Sequence, residues 1–330
     1  MQAVTQTGTF GEYLEAWLAH AQGRVRQTTW EGYESSIRNY VGPDLAVLPL
    51  VEIHPLSLQN LYSSLLSRER PLSGGTVLNL HLILTQALGQ AVRWGYLSTN
   101  PASGAQPPRP KRAELVMVDA ELADRLLKAV EGTRIECVVA IAISTGMRRG
   151  EIVALRWQDI TDEYSKVHVR RTLQNTHKGL IFENPKTPRS RRVIVLPEFL
   201  RPYLERQKLD QERRRGELGD AWQDNGLVID QGDGRPYNPD SISSYWRGAL
   251  RRAGLPHVRF HDLRHAHATM MLSQGVHPKI VSERLGHASI GITLDTYSHV
   301  LPSMQQDAAD AFDAIFPSES PPVMDVAAAD

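Results

Sequence analysis

Four prolines, Pro101, Pro107, Pro108 and Pro110, crowd a short stretch that ends in Lys111 and Arg112. A proline ring locks φ and removes the backbone donor, so no helix runs through such a stretch and an extended linker is predicted. This feature divides the 330-residue chain into two parts, each long enough to bury its own apolar core. The expected division is a helical domain over 1–100, a linker over 101–114, a mixed domain over 115–303 and a tail over 304–330.

Within the first part the apolar positions follow helical spacing: Phe10, Tyr13, Leu14, Trp17 and Leu18, then Tyr33, Ile37, Tyr40 and Val41. Two further stretches run through Leu58, Leu61, Tyr62 and Leu65, and through Val77, Leu80, Leu84, Leu88 and Ala91. Thr28 with Glu31 has the spacing of a capping box for the second helix. Beyond the linker, Asp119 is a predicted N-cap, and the uninterrupted apolar run Cys137 to Ile143 reads as a buried helix. Between 166 and 196 the period shortens to two, which predicts strands over 166–170, 180–183 and 192–196, the last two joined by a turn-rich loop. Helical spacing then resumes. The expected fold is mainly α with a small antiparallel β-sheet, an α+β chain.

No run approaches the length of a membrane span, and no secretory or transit signal opens the chain, so a soluble cytoplasmic protein is expected. The single cysteine, Cys137, sits in the apolar run as a small hydrophobe and excludes an internal disulfide. Formal net charge is zero, which by itself argues against a nucleic-acid partner. The average conceals an asymmetry. All six residues of charge after position 303 are acidic, leaving 37 basic against 31 acidic residues before it. The basic residues also cluster, at 109–112, 186–192, 201–215 and 247–259, as a DNA-binding face or a set of solvated helix faces would require.

Four short segments carry polar side chains that packing does not demand. In Thr145-Gly-Met-Arg148-Arg-Gly-Glu151 a glycine turn leads into a helix start on which Glu151 can fix Arg148, a pattern that also suits an ordinary cap with an ion pair. In His261-Asp-Leu-Arg264-His265-Ala-His267, His261 and Arg264 share a helical face, while His261 and His265 have the i, i+4 spacing of zinc ligands. No cysteine cluster completes such a site, and a satisfied, partly buried histidine is the plain reading for His265 and His267. Leu285-Gly286-His287-Ala-Ser289 reads as a helix stop and restart, with Gly286 at C′ and Ser289 as N-cap. The next helix carries Tyr297, which alone would be a packing residue.

Taken together, Arg148, Lys186 in Asn184-Pro-Lys-Thr-Pro, His261 and Arg264, His287, and Tyr297 ten residues later resemble the tyrosine recombinases, or phage-type integrases. The resemblance covers the whole second half and is most specific from Phe260 to Leu301; the helical half is similar in character to the family's core-binding domain, which clamps DNA opposite the catalytic domain. It implies that Tyr297 is the nucleophile on a DNA phosphodiester, leaving a 3′-phosphotyrosyl link and a free 5′-hydroxyl. Bond energy is retained, so neither ATP nor another cofactor nor a metal is implied. A phenol of pKa ~10 is about 0.1% ionised at pH 7, so the other residues must help. By resemblance His261 is the base for Tyr297 or orients the phosphate, Arg148, Arg264 and His287 hold the charge of the phosphorane, and Lys186 protonates the leaving oxygen. Glu151 supports Arg148.

The same resemblance implies double-stranded DNA as partner, a homotetramer on synapsed DNA, an accessory directionality factor, no membrane, and nucleoid association when DNA-bound. Integration or excision of a mobile element is the expected role, with Xer-like resolution of chromosome dimers or non-catalytic DNA binding on the same fold as alternatives. The chain opens almost directly on the helical domain, with no room for a separate arm-type DNA-binding module, so the expectation is either that this member lacks one or that its N-terminus is truncated. In the tail, Met304, Ala308, Phe312, Ile315 and Phe316 form one helical stripe and Asp307, Asp310 and Asp313 the other side, as an amphipathic helix that packs on its own domain or on a neighbouring protomer.

Overall fold

The computed structural model describes residues 8–110, 117–184, 191–297 and 304–315. The chain divides between 114 and 115 into two compact units, with residues 175–179 grouped with the first.

The first unit is helical: α1 (Phe10–Ala21), α2 (Gln27–Tyr40), the short α3 (Pro43–Ala46), α4 (Pro55–Ser67) and α5 (Gly74–Arg93). Thr9 and Glu12 close a reciprocal capping box on α1, satisfying two backbone donors that a helix start leaves open. The predicted box at Thr28 and Glu31 does not form. α2 starts one residue before Thr28, with Arg26 at the N-cap position and no side-chain capping hydrogen bond there, and the Glu31 carboxylate accepts instead from Gln27 Nε2 at 2.8 Å. Phe10, Tyr13, Leu14, Leu58, Tyr62, Leu80, Leu84 and Leu88 form the core, and the buried Tyr13 hydroxyl donates to the carbonyl of Ala87. Pro101–Gly104 makes a 3-10 turn that buries Pro101 and Ala102, and Ala102 and Ala105 join this same core.

The second unit opens on α6 (Ala120–Lys128), with Asp119 Oδ1 accepting from the Leu122 amide at 2.8 Å. α7 (Glu136–Thr145) is apolar all round and buried from Cys137 to Thr145, the signature of a helix at the centre of a core. After the short α8 (Arg149–Ile152) come β1 (Ile160–Thr161), β2 (Lys166–Val169), β3 (Thr172–Thr176), β4 (Gly179–Glu183) and β5 (Arg192–Val195). The three predicted strands are present, but β4 and β5, neighbours in sequence, do not pair. β2 lies between β1 and β5, antiparallel to both, with Val167 opposite Ile194, and β3 pairs with β4 in a separate two-stranded sheet. Val167, Val169 and Ile194 point from this small sheet into the core.

α9 (Arg201–Leu218) and α10 (Pro239–Arg252) complete the surround, and three helices then carry the chain back against α7: α11 (Asp262–Ser273), α12 (Pro278–Leu285) and α13 (Ile290–Tyr297). α11 packs on α7 and on α12, and α12 packs on α13 and β5. A small satellite core of Ala268, Leu272, Val281, Leu285 and Tyr297 ties these three together. α14 (Met304–Ile315) follows; Phe312 and Ile315 on it are 61% and 68% exposed, and Phe316 lies outside the described residues.

α7 and α12 end alike. Gly146 and Gly286 cap them in the left-handed conformation, at φ 65° and 68°. Gly146 also has no room for a side chain: a Cβ there would meet Leu285 Cδ2 at 2.5 Å and His267 Cδ2 at 2.8 Å. Gly146→Ala therefore combines an unfavourable φ with overpacking, and a loss of about 3 kcal/mol is expected in urea unfolding. An unchanged urea midpoint would show that α7, α11 and α12 do not meet as described.

Candidate active site

The two glycine-ended helices aim their last carbonyls at one side chain. Arg264, in the first turn of α11, donates from Nη1 to the Gly146 carbonyl at 2.7 Å and from Nη2 to the Leu285 carbonyl at 2.8 Å. It is 4% exposed. Burial, then the charge of Arg148, pulls its pKa down to about 9, which leaves it a cation at neutral pH. Helix C-termini carry partial negative charge and open carbonyls, the partners a buried guanidinium needs.

The turn that exposes the Gly146 carbonyl also sets Arg148, two residues on, as N-cap of α8. Arg148 Nη1 donates to Glu151 Oε1 at 3.0 Å, and its amide to Glu151 Oε2 at 2.9 Å; Nη2 reaches the Gly286 carbonyl at 3.5 Å. Glu151 is itself buried and receives a second guanidinium, with Arg192 Nη2 2.9 Å from Oε2 and Nη1 3.2 Å from Oε1. Burial would raise the Glu151 pKa, but Arg192 and Arg148 hold it below the usual carboxylate range. Arg192, the first residue of β5, is further anchored by donating from Nε to the Arg284 carbonyl at 2.5 Å.

His287 follows Gly286 directly, and its Nδ1 lies 2.8 Å from Thr293 Oγ1 on α13. His261 stands at the N-cap position of α11. Burial lowers both to about 4, with Arg264 and Arg148 among the charges that assist, so each is neutral at pH 7. His267 is also held at about 4, chiefly by burial, and its Nδ1–H donates to the Ile143 carbonyl at 2.9 Å. Tyr297 ends α13 with 2% of its surface exposed; burial raises its pKa to about 12, against a lowering influence from Arg264. Its hydroxyl lies 2.7 Å from Nδ1 of His265.

Arg148, Glu151, Arg264 and His287 are thus brought together around the two helix ends. His261 lies within electrostatic reach of Arg264 and Arg148, and Tyr297 of Arg264. Lys186 lies outside the described residues. Two residues in these contacts were not assigned to the site from the sequence: Arg192, and His265, read there as a satisfied, partly buried histidine. Arg192 sits in a basic run with no distinguishing signal. His265 has one, its place a single helical turn after His261 on the same face. The zinc reading of that pair lacks a donor set: among the described residues no three His, Cys, Asp or Glu side chains gather as metal ligands. Cys137 is buried, which raises its thiol to about 12 and leaves it unreactive.

Residues 117–304 match the phage integrase family, and residues 9–66 match the phage integrase N-terminal SAM-like domain. The chain belongs to the phage integrase family. Among relatives of this integrase, a XerC-like tyrosine recombinase of Caldanaerobacter subterraneus subsp. tengcongensis is 28% identical, over 94% of this chain and 84% of that protein. The ICEBs1 integrase of Bacillus subtilis is 28% identical over 74% of this chain and 67% of its own. In fold the integrase is similar to the Tn1549 transposon integrase in complex with a circular intermediate DNA, with a TM-score of 0.78 at 19% identity, covering 93% of this chain and all of that one. A lambda integrase tetramer bound to a Holliday junction matches with a TM-score of 0.65 at 19% identity, over 86% of this chain and 79% of that one. Among the described residues no helix is long and apolar enough to cross a membrane.

The three histidines held near 4 give a sign for the acid response. Below the ordinary pKa of 6.5 the unfolded chain takes up protons that folded His261, His267 and His287 refuse until about 4. Stability therefore falls as pH drops through that window. Thermal midpoints are expected to decline steadily from pH 6.5 to 4.5; a flat response would mean that these imidazoles are not held neutral.

Proposed function

We propose that this integrase is a site-specific DNA recombinase in which Tyr297 attacks a backbone phosphate of double-stranded DNA. The observation that supports it most is the convergence of Arg148, Arg264 and His287 on the ends of α7 and α12, with the Tyr297 hydroxyl held against the same helix α11. As the bond from Tyr297 Oη to phosphorus forms, the bond from phosphorus to the 5′-oxygen breaks, leaving a 3′-phosphotyrosyl link and a 5′-hydroxyl. The reverse attack by a partner strand's 5′-hydroxyl rejoins the DNA. One ester replaces another, so no ATP is consumed.

In this reading the forks of Arg148 and Arg264 and the imidazole of His287 receive the non-bridging oxygens, where negative charge gathers in the phosphorane. His261 hydrogen-bonds the same phosphate. Glu151 and Arg192 position Arg148 and do not touch the substrate. Lys186 protonates the departing 5′-oxygen. The helical domain over 1–100 closes on the duplex as a clamp, the domain over 115–303 carries the chemistry, and the tail links four copies on two synapsed duplexes. An accessory factor sets direction, and the protein works on nucleoid DNA in the cytoplasm. Integration or excision of a mobile element is the favoured role, in keeping with the ICEBs1 and transposon integrases it is similar to. The XerC-like relative favours a second role, resolution of chromosome dimers. Recombination between two unlike sites supports the first role, and between identical sites alone the second.

A nicked suicide DNA substrate tests the chemistry. The wild-type protein is expected to trap a covalent protein–DNA adduct, Tyr297→Phe to trap none, and excess EDTA to leave the yield unchanged, because arginine and histidine donors stand where other phosphoryl-transfer sites use a divalent ion. An adduct that persists in Tyr297→Phe removes the proposal.

A further inference from the structure

His265 is the group in contact with the nucleophilic oxygen. Its Nδ1 lies 2.7 Å from Tyr297 Oη, and the two ring centroids are 5.8 Å apart. His261 makes no hydrogen bond to Tyr297 among the described residues; its ring stands at 87° to that of His265, with centroids 5.3 Å apart. Residues four apart on a helix point the same way, so His265 lies one turn deeper than His261 along α11, at the level where α13 delivers Tyr297. Burial holds His265 below its ordinary pKa, against Asp262 and with the charges of Arg264 and Arg259, so the ring is neutral at pH 7. A neutral imidazole carries one N–H and one lone pair, and with the hydrogen on Nε2 the Nδ1 lone pair accepts the phenol hydrogen.

We propose that His265 is the proton acceptor for Tyr297. As Tyr297 Oη bonds to phosphorus, its hydrogen passes to Nδ1 of His265, and the electron pair of the O–H bond stays on the oxygen that attacks. The electrons of the breaking bond leave with the 5′-oxygen, which takes its proton from a different donor. In the rejoining step His265 returns the proton to the departing phenolate. This leaves His261 free to bind the phosphate. The inference rests on Tyr297 being the nucleophile.

The experiment measures single-turnover cleavage of the suicide substrate by the full chain, with DNA affinity measured alongside. His265→Ala removes the acceptor; His265→Gln keeps a hydrogen-bond acceptor of similar reach that cannot take the proton. Both are expected to cleave about 100-fold more slowly than wild type, with DNA affinity unchanged. A difluorinated tyrosine at position 297, whose phenol ionises more readily, is expected to restore at least about tenfold in either variant and to change the wild-type background by less than about threefold. A residue that merely props the ring would show no such rescue. Either variant cleaving within about threefold of wild type, or a loss the fluorinated phenol leaves untouched, overturns the role of His265. If wild type forms no adduct at all, it is the Tyr297 reading that fails; if wild type forms one and the His265 variants match it, only His265 is removed.

Discussion

The site depends on one buried cation. A guanidinium as enclosed as that of Arg264 is tolerated only where fixed acceptors replace water, and here the acceptors are the terminal carbonyls of α7 and α12. For both carbonyls to face Arg264, both helices must stop abruptly and the chain must turn away in the left-handed conformation, which glycine alone adopts freely. The residues that follow are placed by those turns. Arg148 comes two positions after Gly146, and His287 one after Gly286. The arrangement of the charged groups is therefore a consequence of satisfying Arg264.

A second balance is electrostatic. Among the described residues Arg148 and Arg192 both pair with Glu151, and Arg264 lies within electrostatic reach of the same carboxylate, so three guanidiniums around it leave the cluster an excess of positive charge. That excess, added to burial, is why His261 and His287 stay neutral. Neutral imidazoles keep the hydrogen-bonding versatility that a protonated ring loses. The excess charge suits an anionic phosphate, and a phosphate bound there would in turn supply the missing counter-charge.

Much of this was legible in the sequence, for identifiable reasons. The all-apolar run around Cys137 and the two glycine turns have strong local signatures, and the buried α7 and the caps at Gly146 and Gly286 follow from them. The order of Arg148, His261, Arg264, His287 and Tyr297 carried the resemblance to the family that residues 117–304 match. Pairing was not legible: a period of two marks β4 and β5 as strands but says nothing about partners, and β5 pairs with β2 across more than twenty intervening residues. The capping box at Thr28 misled because the spacing of Thr and Glu does not fix where a helix starts. Arg192 and His265 were missed for a common reason. Their roles lie in contacts with residues 41 and 32 positions away, Glu151 and Tyr297, which local spacing does not reveal.

The location of the proton acceptor follows from the same charge balance. Arg264 is the cation that lowers the pKa of Tyr297, working against burial. With a phosphate bound in the cluster, Arg264 would pair with its oxygens, and its help in ionising the phenol would weaken at the moment it is required. In the proposed reading His261 and His287, lowered by the same arginines, bind the phosphate as well. The group that removes the proton must touch the phenol oxygen. His265 meets that condition because the satellite core of α11, α12 and α13 holds the Tyr297 ring and the hydroxyl meets Nδ1 at its edge. Packing that buries the nucleophile and raises its pKa is what brings it to a base, so the cost of burial and the means of overcoming it arise from one contact.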